Sequence, residues 1–161
     1  MPLQTMNSTD IKDNILNPNK FNVSSGNSSY ELWNKGNTIT TANNNAVNKT
    51  IYSMSPSNYV EPRSAAYTGL TSSNISSTYN YGIYYFANPN TTGNTIYFYT
   101  NGYRQGANSF IENWHYYGHY WTSGPANSSQ AISFCLVPTG TIAVSNTDYR
   151  NHGFDMRCVL E

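Results

Sequence analysis

Charge is what this sequence has least of. Of its 161 residues only 10% are charged, with 8 Lys plus Arg against 8 Asp plus Glu, so the net charge is zero. No basic footprint for nucleic acid is present, and no polybasic arm for an anionic membrane. Cysteine is nearly absent too. Two residues, Cys135 and Cys158, make neither a disulfide scaffold nor a zinc set, and they read as two buried thiols or a single bridge between them. No apolar run approaches the roughly 18 residues that span a bilayer. The opening Met1-Pro2-Leu3-Gln4-Thr5 has neither the charged leader nor the apolar stretch of a signal peptide, so none is expected within it.

Amides, hydroxyls and aromatic rings fill the space that charge leaves. The chain carries 24 Asn, 19 Ser and 17 Thr, together with 15 Tyr, 6 Phe and 3 Trp. Low charge with this many aromatics argues against disorder, because the tyrosines supply area to bury. The sixteen charges are uneven: nine fall in residues 1–64, and residues 65–103 and 113–147 hold none. The N-terminal part, 1–49, reads as a polar segment packed on or leading into a globular unit of 50–161, with the whole a single unit.

Two short helices are predicted. The first runs from Thr9 or Asp10 to Leu16 and stops before Asn17-Pro18. The second runs from Pro62 to about Leu70, with Pro in its first turn. The remainder reads as strands between turn clusters. Ile96 to Tyr99 is one. Ala131 to Val137 alternates, with Ile132, Phe134 and Leu136 on one face and Ser133 and Cys135 on the other. Pro138-Thr139-Gly140 predicts a hairpin loop returning through Thr141 to Ser145. The last run, Gly153 to Leu160, places Phe154, Met156, Cys158 and Leu160 on one face and predicts a buried C-terminal strand. Together these give an α+β domain with an antiparallel sheet and much irregular loop.

The inventory for catalysis is thin. His115 and His119 stand four apart, but Tyr116-Tyr117-Gly118 between them favours strand or loop over a metal-binding helix, and no metal is expected. There is no Gly-rich phosphate loop and no Gly-x-Ser-x-Gly elbow, and the few carboxylates are scattered. The aromatic run is the informative feature. From Tyr79 to Trp121 the chain holds ten Tyr, two Trp and three Phe, interleaved with Asn, Ser, Gly and Thr. Phe98, Tyr103 and Trp121 read as core. Trp114 to Tyr120 is too continuously aromatic for a half-buried strand, in which alternate residues face water. Tyr, Trp and His give large contact area with a polar tip at little rotamer cost, the composition of binding surfaces.

Three C-terminal segments carry a resemblance. Asn101-Gly102-Tyr103-Arg104, Gly118-His119-Tyr120-Trp121-Thr122-Ser123 and Arg150-Asn151-His152-Gly153-Phe154-Asp155-Met156-Arg157-Cys158-Val159 are similar to the pattern GYR … G-x-YWSS … R-x-x-GFSVRCV. That pattern marks the Fibrobacter succinogenes major paralogous domain. Upstream, Lys49 to Pro62 resembles the same family's T-x-YDPCP-x-GY-x-VP, so the likeness covers roughly residues 50–159. It implies a C-type-lectin-like (formylglycine-generating-enzyme-like) α+β domain with short antiparallel sheets and two short helices. It also implies kinship with the variable proteins of diversity-generating retroelements, whose diversified residues form a ligand surface on a constant scaffold. Ser55 stands where the family has a cysteine, so the resemblance leaves Cys158 without its disulfide partner. The calcium-and-sugar motifs of true C-type lectins and the catalytic cysteines of the formylglycine-generating branch have no match.

The expectation is therefore a non-enzymatic adhesin or receptor-binding protein with no cofactor. Its scaffold residues are Gly118, Trp121, Arg150, Gly153, Phe154, Arg157 and Val159. The residues between them would form the face: Asn108, Phe110, Trp114, His115, Tyr116, Tyr117, His119, Tyr149, Asn151, His152 and Asp155. Its partner would be a protein or glycan on another cell or particle, not nucleic acid and not a membrane interior. The setting would be extracellular, on a bacterial surface or a phage virion. A structural subunit of a pilus or tail, and an enzyme of the formylglycine-generating type, are the competing readings.

Overall fold

The computed structural model describes residues 4–7, 11–23, 33–37, 42–79, 81–86, 95–137, 139 and 142–160. Its elements, in chain order, are β1 (Gln4–Met6), α1 (Ile11–Leu16), β2 (Lys20–Asn22), β3 (Tyr59–Val60), β4 (Ile75–Tyr79), β5 (Gly82–Phe86) and β6 (Thr95–Tyr99). There follow β7 (Tyr103–Arg104), β8 (Ile111–Glu112), β9 (Gly118–Pro125), β10 (Gln130–Leu136), β11 (Ile142–Tyr149) and β12 (Val159–Leu160). Two three-stranded antiparallel sheets, β11-β10-β9 and β4-β5-β6, carry most of the architecture. Three two-stranded pairs, β1-β2, β12-β3 and β7-β8, complete it.

Alternation decides where the core lies. Ile132, Phe134 and Leu136 of β10 are all buried, as the sequence predicts, and Phe134 and Leu136 cluster with Tyr120 of β9, Phe98 of β6 and Ile83 of β5. Tyr67 completes the cluster from an irregular segment, its ring stacked 4.6 Å from Phe134. Phe98 is edge-on to both Phe134 and Tyr120, at 5.3 Å in each case. Offset and edge-to-face pairs of this kind align ring edges with ring faces and add to what burial alone supplies. The opposite face of β10 is also covered, since Ser133 is fully buried.

Among the described residues strand predominates and no helix reaches seven residues. The protein is all-β, which corrects the α+β, C-type-lectin-like expectation with two helices. The first helix forms and ends at Asn17, whose backbone N–H and side-chain amide both donate to the Asp13 carbonyl. Its proposed cap at Thr9 or Asp10 lies outside the described residues. The second does not form. Over 63–70 the N–H groups of Ala66, Thr68 and Leu70 donate to carbonyls three residues back, at Arg63, Ala65 and Tyr67, which makes successive turns. Asn44 takes the Ala65 N–H and Ser64 donates to the Asn43 carbonyl, while Tyr67 is drawn into the core. These tertiary partners outcompete a modest helical propensity.

The C-terminal run differs from expectation as well. Only Val159–Leu160 is strand, paired with β3, and Leu160 is exposed. Upstream of it the chain makes single bridges instead of one ladder: Gly153 with Arg104, then Asp155 with Tyr120. The hairpin positions Pro138 and Gly140 lie outside the described residues; the return strand β11 continues to Tyr149, past the predicted Ser145. No helix of the described residues is long and apolar enough to cross a membrane.

Candidate ligand-binding face

The loop between β7 and β9 is held by its own backbone. Arg104 donates through Nη1 to the Ser109 carbonyl, Gln105 N–H to Phe110 and Ser109 N–H back to Gln105. Asn108 Oδ1 accepts the Phe110 N–H at 2.9 Å. After β8 the chain turns again, and both Tyr116 and Tyr117 donate to the Asn113 carbonyl. Left-handed backbone is concentrated here, at Ser109 (φ 63°), Asn113 (54°) and His115 (64°). Each such residue costs of order 1 kcal/mol or more, and such conformations gather at binding and catalytic sites.

That loop lifts its aromatic side chains off the surface. Trp114 is 68% exposed, and Phe110 and Tyr116 are each 53% exposed. Ile111, Tyr149, Tyr81 and Tyr99 are exposed as well. His115 is half-buried in a stack, 3.6 Å from the Tyr81 ring on one side and 4.2 Å from Trp114 on the other. A second chain of rings begins at Tyr116 and passes through Tyr117 to His119 at 4.9 and 5.7 Å. It continues through Tyr103 to His152 and Tyr149 at 4.9, 5.3 and 6.0 Å. Of the residues expected at the face, Asn108, Phe110, Trp114, Tyr116 and Tyr149 are exposed, His115, Tyr117 and His152 are half-buried among these rings, and His119 is buried. Asn151 donates to the carbonyls of Val23 and Gly106, and Asp155 accepts from Asn101.

Sequence reasoning missed Tyr81 and misassigned Tyr103. Tyr81 belongs to the same aromatic run, but nothing local pairs it with a residue 34 positions later. Tyr103, read as core, is half-buried and is where the two histidines meet.

Beneath the face sits a polar cluster that the sequence did not reveal. Cys135 and His119 are direct cross-strand partners in β10 and β9, with Sγ 3.7 Å from Nε2. His119 Nδ1 lies 3.8 Å from Asp148 Oδ2 on β11, too far for a hydrogen bond. Asp148 instead accepts from Ser133 at 2.6 Å and Asn146 at 2.8 Å. His119 is only 8% exposed, and burial lowers its pKa, partly offset by Asp148; burial also lowers that of His152. Burial and the same carboxylate push the Cys135 thiol up to about 11. A neutral imidazole beside a protonated thiol is the reverse of the activated pair a cysteine nucleophile requires. Both cysteines are free thiols, which removes the bridge between them. Among the described residues no group of three or more His, Cys, Asp or Glu is arranged to hold a metal ion.

No family model, curated protein or solved structure matches the chain.

Proposed function

We propose that this protein is a non-enzymatic ligand-binding module whose contact surface is the aromatic face built on the 105–117 loop. The observation that carries this reading is Trp114: a large aromatic residue left 68% exposed on a loop whose backbone is fixed in left-handed conformations. Exposed aromatics on a rigid support lose little entropy when they are covered, and such residues dominate interface energetics. The resemblance to retroelement-diversified variable proteins supports the same role. In that reading the face meets a protein or glycan outside the producing cell, displayed from a bacterial surface or a phage particle. A cofactor is not required. The Cys135–His119–Asp148 arrangement serves packing, since its thiol is held protonated.

Single replacement of Trp114, Tyr116 and Tyr117 by Ala tests the assignment, with cell-surface binding across a panel of bacterial strains read by flow cytometry. Trp114→Ala and Tyr116→Ala should abolish binding while shifting stability by no more than about 0.5 kcal/mol, as expected for exposed positions. Unchanged binding, or a melting temperature lowered by many degrees, would reject the face. A reverse transcriptase gene beside a near-identical template repeat would separately establish diversification.

A further inference from the structure

A cleft of about 500 Å³ lies away from the aromatic loop, where β3 and β12 pair. Among the described residues its apolar lining is aliphatic: Ala46, Val47, Val60, Ala65, Ala66, Val159 and Leu160. That volume falls within the range of small-ligand and peptide-end sites, and described lining residues that carry no ring suit a branched aliphatic group. Two polar side chains stand at it, Asn44 and Arg63, and both offer donors. Arg63 is exposed and its guanidinium has no partner among the described residues. Asn44 spends its amide oxygen on the Ala65 N–H at 2.9 Å, which leaves its NH₂ group as the available end. Along one side, the backbone N–H and C=O groups of Ala46 and Val47 have no hydrogen-bond partner among the described residues.

Among the described residues, an aliphatic floor, donor groups with one cation at the rim and a stretch of backbone with unpaired N–H and C=O groups together specify a complementary ligand. We infer that this cleft binds the carboxyl terminus of a peptide ending in a branched aliphatic residue. The terminal carboxylate meets Arg63 and Asn44, the last side chain enters between Val47, Ala66 and Val159, and the peptide backbone lies along 46–47. Charge-assisted pairing with a guanidinium fixes the terminus, and strand-like backbone pairing fixes its direction. This site is independent of the aromatic face.

The probe is a fluorescein-labelled Gly-Ser-Ser-Val-Leu peptide with a free carboxyl terminus, titrated with the full chain by fluorescence polarisation. Binding should saturate, and the same peptide with a C-terminal amide should bind at least about tenfold more weakly. Arg63→Gln should cause a similar loss and Arg63→Lys a smaller one, neither altering the melting temperature because Arg63 is exposed. Trp114→Ala should leave peptide affinity unchanged. Equal affinity for acid and amide, no binding at about millimolar protein, or tighter competition by decanoate than by unlabelled peptide would each overturn the inference. Loss of peptide binding in Trp114→Ala would also overturn it, by moving the peptide to the aromatic face.

Discussion

At the scale of single residues, the protein stores most of its conflict in buried polar atoms. The Tyr67 hydroxyl is enclosed in the core with no hydrogen-bond partner among the described residues, and burial drives its pKa far above the usual phenol value. Tyr120, in the same cluster, avoids this by donating to the Tyr99 carbonyl at 2.9 Å. Removing an unsatisfied buried hydroxyl removes its desolvation cost, so Tyr67→Phe should stabilise the protein by about 1 kcal/mol, seen as a raised urea midpoint with unchanged slope. The histidines give a second residue-level expectation. Because burial holds His119 and His152 below their usual 6.5, the unfolded chain takes up protons that the folded one refuses. Their stabilising contribution is complete above about pH 6.5 and is lost as pH falls from there towards the folded values. The melting temperature should therefore fall between about pH 7 and 5, and His152→Gln should flatten that slope.

Among the elements, legibility followed locality. Strand β10 could be read because alternation is a property of neighbours in sequence, and Ile132, Phe134 and Leu136 are all buried as it requires. The exposed anchors Trp114 and Tyr116 were nameable for a related reason: an unbroken aromatic run cannot be hidden on one face of a strand. Elements decided by distant partners were not legible. Residues 62–70 have helical composition, but Asn44, Asn43 and the core claim their polar groups and Tyr67 first. The apolar spacing of 153–160 suggested one strand, whereas Gly153 and Asp155 bridge two different elements. His119, Cys135 and Asp148 come from three strands, and only the sheet register brings them together. Cys158 is the instructive case between these extremes. Ser55 donates its hydroxyl to the Cys158 sulfur at 2.9 Å across 103 residues. Ser55→Cys should therefore close a disulfide with Cys158, visible by intact mass as one alkylatable thiol without reductant against three with it, and raise stability by about 2–4 kcal/mol.

For the molecule as a whole, the C-terminal segment acts as a tie between β7, β9 and β3. Gly153 exchanges backbone hydrogen bonds with Arg104, Asp155 with His119 and Trp121, and Val159 pairs with Val60. Phe154 lies between these bridges with its ring stacked 4.4 Å from Trp121. Deleting residues 154–161 should abolish cooperative folding, whereas a soluble truncation melting in one transition would show the remaining sheets to be self-sufficient. The N-terminal part is tied in by contacts of the same sort, Asn37 donating to the Ser123 carbonyl and Asn151 to Val23. Side-chain amides thus do at long range what salt bridges do in more highly charged proteins, and these ties should be indifferent to ionic strength.

One more such tie does involve a charge. The Lys49 ammonium donates to the carbonyls of Ser55, Pro56 and Tyr59 at 3.0, 2.9 and 2.7 Å, drawing the 50–59 loop around a single nitrogen. Those three oxygens form the kind of basket in which a loop elsewhere would seat a dissociable ion. Here the cation is covalently part of the chain, so it arrives at one equivalent, needs no supply from the medium and cannot be diluted away. The loop's order is instead hostage to acylation chemistry: an acetyl group on that one amine would erase the charge and set three carbonyls adrift at the edge of the cleft.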